Sequence, residues 1–161
     1  MGINELAILG ANYLLILVPP IALFVFWRAS SEQRKTLLLR GIIVLIIGVI
    51  LAKLGGLVYY EPRPFVVNHI QPLIPHANDN GFPSDHTLTI SAIALLLAPF
   101  SLPAGGVTLL IAVLVGISRM VCHLHSMVDI IASLLFALIA NGVAWYAVRA
   151  HRKTPSIPND I

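Results

Sequence analysis

Between Thr87 and Ser118 the chain runs for 32 residues without a charged side chain, Leu6 to Trp27 runs for 22 and Ile130 to Val148 for 19. One crossing of a hydrocarbon core takes roughly 20 residues of helix. Backbone polar groups at that depth must also be satisfied within the segment, which a helix does and an open strand does not. The runs are therefore read as membrane-spanning helices. Thr87–Ser118 is too long for one crossing, and Pro99 and Pro103 bracket a turn that divides it into two antiparallel helices, the first of them short. Leu37 to about Tyr60 supplies another span, with Arg40 at its start and Lys53 inside it. The expectation is an all-α, polytopic bundle of about five spanning helices, formed by one membrane-embedded domain over residues 1–153 with a mobile tail at 154–161. Pro19 and Pro20 should kink the first span. Composition agrees: 58% of residues are hydrophobic and 11% charged, against roughly 25% charged in a soluble domain.

The remaining composition narrows the partners. The net charge is +3, but the ten Lys and Arg are scattered in ones and twos, which is not the basic stripe of a nucleic-acid face. A single cysteine, Cys122, excludes a disulfide framework and a cysteine-built metal site. The residues after Met1 lack the basic region of a cleavable signal, so the first apolar run is expected to stay in the mature chain. Arg28, Arg34, Lys35 and Arg40 gather around the first connection, and Arg149, Arg152 and Lys153 follow the last span. Basic residues concentrate on cytoplasmic loops, which predicts a cytoplasmic C-terminus and an N-terminus outside.

Three basic residues escape that count: Lys53, Arg63 and Arg119. With five spans, Arg63 and Arg119 fall at the extracytoplasmic ends of their helices. The 25-residue loop Glu61–Asp85, with two histidines and three carboxylates, lies on the same side. A structureless loop of that length in a compact chain is usually functional. Three clusters meet there: Lys53 with Arg63-Pro64-Phe65, then Phe82-Pro83-Ser84-Asp85-His86-Thr87, then Ser118-Arg119 followed by His125 and Asp129.

These residue types suit phosphoryl transfer. His125 and Asp129 are four apart at a helix start and share a face. A carboxylate there can fix one tautomer of the imidazole and stabilise its cation, turning it into a nucleophile. His86, on another span at the same depth, could deliver a proton to a departing oxygen. Lys53, Arg63 and Arg119 supply the cations that a transferring phosphoryl group needs on its equatorial oxygens. Ser84 and Asp85 open a helix, whose unpaired N–H groups and dipole favour an anion. Each residue also has a plainer reading. Lys53 could snorkel, Arg63 and Arg119 could anchor headgroups, Ser84 could be only a cap and Asp85 only a first-turn carboxylate. His69, His76, His123 and His151 read as interfacial side chains and Glu61 and Asp79 as loop solvation. The convergence of the set on one face favours chemistry.

The three clusters resemble the signature of the type 2 phosphatidic acid phosphatase (PAP2) superfamily: a lysine followed by Arg-Pro, then Pro-Ser-Gly-His, then Ser-Arg with a histidine and an aspartate spaced as here. Ser118, Arg119, His125 and Asp129 match the third part throughout. Asp85 stands where the second part has glycine, and nine residues separate Lys53 from Arg63 where the superfamily has six. The Asp85 variant, Tyr59-Tyr60 and the stretch from His69 to Asn80 look most like the bacitracin-resistance branch, the undecaprenyl pyrophosphate phosphatases. That resemblance implies a hydrolase of the extracytoplasmic face of the bacterial plasma membrane. Its substrate would be a polyprenyl pyrophosphate among the membrane lipids, and it would recycle the carrier of cell-wall polymers. It implies His125 as nucleophile, Asp129 as its orienting group and His86 as proton donor. Lys53, Arg63, Ser84, Asp85 and Arg119 would hold the phosphates, with no metal ion. A phosphatidylglycerophosphate or phosphatidic acid phosphatase and a prenyl-pyrophosphate-dependent phosphotransferase are variants of that reading. A small ion transporter is the alternative from another class, although spans three and four carry no internal ionisable group for a path.

Overall fold

A computed structural model describes residues 2–153; the tail expected to be mobile, 154–161, lies outside the described residues. Two helices, α1 (Ile3–Tyr13) and α2 (Val18–Arg28), are joined by a single 3-10 turn at Leu14–Leu17. The two prolines occupy the first turn of α2, where their missing N–H groups would have had no helical partner. The expected kink is thus an irregular turn placed just before the prolines, and Ile3–Arg28 remains one apolar stretch long enough to cross. Arg34 closes its far end, donating from Nε to the Phe26 carbonyl at 3.0 Å and from Nη2 to that of Trp27 at 2.7 Å, which satisfies carbonyls the last turn leaves unpaired.

Helix α3 (Ser31–Val58) starts at a capping box. Ser30 Oγ accepts from Gln33 N at 3.3 Å, and Gln33 Oε1 accepts from Ser30 N at 2.9 Å, so two orphan donors are met reciprocally. A one-turn helix, α4 (Pro64–Val67), follows Arg63, and α5 (Asp85–Leu97) begins after Ser84. Pro99 prevents α5 from continuing, and Ser101 Oγ accepts from Ala104 N at 3.4 Å to start α6 (Leu102–Val121). The last helix, α7 (Met127–Lys153), opens on Ser126, as its sequence suggested. Asp129 N donates to Ser126 Oγ at 3.4 Å, and Ser126 N donates to Asp129 Oδ2 at 2.7 Å.

Helix α5 is the axis of the bundle, packed by α2, α3, α6 and α7. Thr87, Ile90, Ser91, Ala94 and Leu97 on it are buried. Small residues bring the backbones together: a Cβ on Gly105 would stand 2.6 Å from Ala98 Cα, and one on Gly116 would stand 3.0 Å from Ile130 Cγ2. Close approach through small residues is the usual way apolar helices associate where lipid removes the hydrophobic drive. Large apolar side chains such as Leu45, Leu57 and Ile42 point outward, as expected for surfaces that meet lipid.

Four helical stretches are long and apolar enough to cross a membrane, and α5 is the short fifth member of the bundle. Its 13 residues rise about 20 Å, against about 30 Å of hydrocarbon. Asp85 shares cavity walls with Val49 and Ala52, so α5 starts beside a point six residues before α3 ends, a recess of about 9 Å. Arg40, counted from sequence among the basic residues around the first connection, is buried near the start of α3, its guanidinium lying 5.9 Å from the centre of the Phe100 ring, a cation–π distance.

Candidate active site

The recess above α5 is a cavity of about 440 Å³, lined by Lys53, Arg63, His76, Asp85, His86, Arg119 and His125 among others. Six of the eight residues singled out from sequence therefore face one space. The other two stand behind it. Asp129 and Ser84 are both fully buried, and neither belongs to the cavity wall. Expected as a phosphate contact, the Ser84 hydroxyl is 3.1 Å from Thr87 Oγ1, and the Ser84 carbonyl accepts from Ser133 Oγ at 2.9 Å. Ser133 Oγ also lies 2.7 Å from the Asp129 carbonyl. One hydroxyl of α7 thereby ties the start of α5 to the start of α7, the two ends that carry His86 and His125.

The imidazole of His125 is held from one side. Its Nδ1 lies 2.9 Å from the Gly81 carbonyl and 3.4 Å from Asp129 Oδ2. Both neighbours are acceptors, so Nδ1 carries the proton and the lone pair is left on Nε2. Asp129 is fixed in turn by the Ser126 N–H on Oδ2, while its buried Oδ1 has no partner.

The cations are placed by different means. Arg63 is buried, although it precedes a one-turn helix in a loop. Its Nε donates to Asp79 Oδ1 at 2.6 Å, Nη1 to the Leu124 carbonyl at 2.9 Å and Nη2 to the Asn80 carbonyl at 3.5 Å. The guanidinium holds the half-exposed Asp79 carboxyl below its ordinary range, because a hydrogen bond from a cation favours the charged form. Arg119, near the end of α6, is buried with an unpartnered Nε and lines the cavity. Lys53, which looked buried in the sequence, is exposed and reaches the cavity from α3. Burial first, and the Arg63 charge second, keep His76 less basic than an ordinary histidine.

The cavity gathers three cations and two further imidazoles around His125, a lining that suits an anionic group. Residues 37–153 match the PAP2 superfamily. The chain belongs to that superfamily. Undecaprenyl-diphosphatase BcrC of Bacillus subtilis (strain 168) is 34% identical over 137 residues, covering 85% of this chain and 70% of that protein. The bacitracin transport permease protein BcrC of Bacillus licheniformis is 31% identical over 147 residues, covering 90% and 72%. Among solved structures, a transmembrane PAP2-type phosphatidylglycerolphosphate phosphatase from Bacillus subtilis superposes with a TM-score of 0.55 at 25% identity, covering 94% of this chain and 79% of that one.

Within the PAP2 frame the three sequence clusters correspond to α3 with its following loop, the start of α5, and the α6–α7 junction. Ser118 is a packing residue, since a Cβ on Gly10 of α1 would run into its hydroxyl. Of the histidines left unassigned, His69 and His123 take left-handed φ angles of 52° and 62° and shape turns. His76 lines the cavity, and His151 carries no described side chain. Glu61 receives the Tyr59 hydroxyl at 2.5 Å. Sequence reasoning missed Asp79, Asn80 and Gly81. Their signal, short polar residues just before Phe82-Pro83, is common to many loops.

Proposed function

We propose that this PAP2 protein hydrolyses undecaprenyl diphosphate to undecaprenyl phosphate and inorganic phosphate. The observation that carries the reading is the one-sided hold on His125: two acceptors at Nδ1 leave Nε2 as the nucleophilic nitrogen of a residue lining a cavity with three cations. The name carried by the 34% identical Bacillus subtilis relative supports the diphosphate substrate.

In the first step His125 Nε2 attacks the terminal phosphorus. A P–N bond forms, the bond from phosphorus to the bridging oxygen breaks, and His86 gives its proton to that oxygen as undecaprenyl phosphate leaves. Asp129 stabilises the cationic ring that results. In the second step a water attacks the phosphohistidine, His86 takes up its proton, the P–N bond breaks and inorganic phosphate departs. Arg63, Arg119 and Lys53 neutralise the equatorial oxygens in both steps. Asp85 lines the cavity beside the first backbone N–H groups of α5, which favour an anion. Ser84 acts from behind as the link between Thr87 and Ser133. The recess suits a lipid whose headgroup is drawn below the ends of the helices while its tail remains among them.

The active face is extracytoplasmic and the N-terminus outside in this proposal, on the strength of the basic residues around the first connection and after α7. The name of the structural neighbour supports a second substrate class, a phosphatidylglycerophosphate. A transport reading has no such support: ionisable side chains of the cavity sit at one end of the bundle, and a path would need them at several depths. Purified protein in detergent with EDTA, offered undecaprenyl diphosphate and phosphatidylglycerophosphate side by side, tests the assignment. Faster phosphate release from the diphosphate is expected; preferential release from the glycerolipid, or release from neither, would refute it.

A further inference from the structure

We infer that Asn80 is a positioning residue for the reaction, setting through the Gly81 carbonyl the tautomer and aim of His125. The inference rests on the phosphatase reading above. The side-chain amide of Asn80 is fully used. Its oxygen accepts from the N–H groups of Glu61 and Phe82, each at 3.0 Å, and its nitrogen donates to the carbonyls of Gly56 and Tyr59, each at 3.0 Å. Two donors on one side and two acceptors on the other leave only one orientation of the amide. A single side chain thus clips the end of α3, the strand-like pairing of Pro62 with Asn80 and the approach to α5 into one unit.

The backbone of that unit is what the reacting groups lean on. The Gly81 N–H donates to the Glu61 carbonyl at 2.9 Å, and the Gly81 carbonyl, facing the other way, receives His125 Nδ1 at 2.9 Å. That contact is shorter than the 3.4 Å separation from Asp129, so the carbonyl makes the better-formed hydrogen bond to the ring. The Asn80 carbonyl accepts from Arg63 Nη2 at 3.5 Å. A shift of this segment would therefore move the nucleophile and a phosphate-binding arginine together. Residue 81 is crowded: a Cβ would lie 3.2 Å from the Glu61 carbonyl oxygen and 3.3 Å from Asp129 Oδ2, so both would have to give by a few tenths of an ångström. Asn80 contributes to the cavity wall, but both atoms of its amide are committed to backbone groups, so its effect passes through Gly81.

Two substitutions test this from opposite sides, Asn80→Asp and Gly81→Ala, each in the full chain in detergent. Asn80→Asp keeps the shape but loses both donors and sets a carboxylate oxygen against two carbonyls. Gly81→Ala keeps the clip and crowds the carbonyl. Histidine labelled with 15N reports the His125 Nδ1–H resonance, assigned by its loss in His125→Ala, and steady-state phosphate release from undecaprenyl diphosphate gives kcat. Both variants should displace the resonance and lower kcat by about tenfold to a hundredfold, the usual effect of disturbing a group that orients a reactive ligand. The Asn80→Asp deficit should shrink as pH falls, because a protonated carboxyl regains one donor. Folded variants with an unmoved resonance and kcat within about twofold of the unmodified chain would overturn the inference. So would loss of folded protein in both, which would make Asn80 a requirement of the bundle. If the unmodified chain releases no phosphate, the substrate reading fails while the resonance still decides the role of Asn80.

Discussion

Replacing Asp129 with asparagine removes a charge and little else. The side chain is fully buried, its Oδ2 accepts from Ser126 N at 2.7 Å, and the same oxygen lies 3.4 Å from His125 Nδ1. An asparagine oxygen can keep the bond to Ser126, so the start of α7 should survive. The loss falls on the positive ring that forms when Nε2 bonds to phosphorus. A unit charge pair at the 3.4 Å separation is worth about 5 kcal/mol at an effective dielectric constant of about 20. The ring shares its charge between two nitrogens and the amide keeps a dipole, so about half of that should be lost in the transition state. At about 1.4 kcal/mol per tenfold, kcat for Asp129→Asn should fall roughly a hundredfold. The assay is phosphate release from undecaprenyl diphosphate at saturating substrate, with thermal melting in the same detergent as the control for folding. A folded variant that keeps kcat within about threefold of the unmodified chain would refute the role given to the carboxylate.

Other consequences can be measured alongside. His86→Ala should slow formation of the phosphoenzyme and its breakdown alike, since the same imidazole gives and takes the proton; single-turnover kinetics that show only one step affected would contradict that double duty. Asp79→Asn should raise KM several-fold more than it lowers kcat, because it removes the negative charge that holds Arg63 through Nε. The Asp79 carboxyl is held below its ordinary value by Arg63. Its contribution to stability is therefore present above the ordinary carboxylate pKa of 3.8 and disappears as pH falls through the lower folded value. Melting curves of the unmodified chain and Asp79→Asn should differ near neutral pH and converge in acid; a gap that widened in acid would reverse the sign. Gly105→Ala forces a Cβ to within 2.6 Å of Ala98 Cα, and overpacking of this kind costs about 1–3 kcal/mol. It should lower the melting temperature without changing kcat at low temperature, and an unchanged melting temperature would count against the α5–α6 packing.

How far the sequence could be read varied with the kind of information each feature carries. The long uncharged runs announced spanning helices because the bilayer admits little else, and Ser126 announced the start of α7 because capping is local. The eight site residues could be picked out because motif spacing survives without coordinates, and six of them share one cavity. Burial was less legible. Lys53 looked buried because it interrupts an apolar run, yet it sits on the open side of α3. Arg40 stood at the start of a span with nothing to mark its burial, yet the short α5 and the turn after it place Phe100 beneath its guanidinium. Ser84 looked like a phosphate ligand, and its hydroxyl meets Thr87 while its carbonyl accepts from Ser133. The least legible element was the loop. Asp79 meets Arg63 through its carboxylate, Asn80 through its carbonyl, and Gly81 meets His125 through its carbonyl, interactions that any polar loop can make. Only the fold reveals which of them meet His125 and Arg63.

The proposed reaction turns on a nucleophilic imidazole. Brief reaction with undecaprenyl diphosphate labelled at the terminal phosphorus, quenched in alkali, should leave acid-labile, alkali-stable phosphate on a peptide containing His125, and His125→Ala should abolish both the label and turnover. Turnover that proceeds with no label on His125, or that survives in His125→Ala, would contradict it.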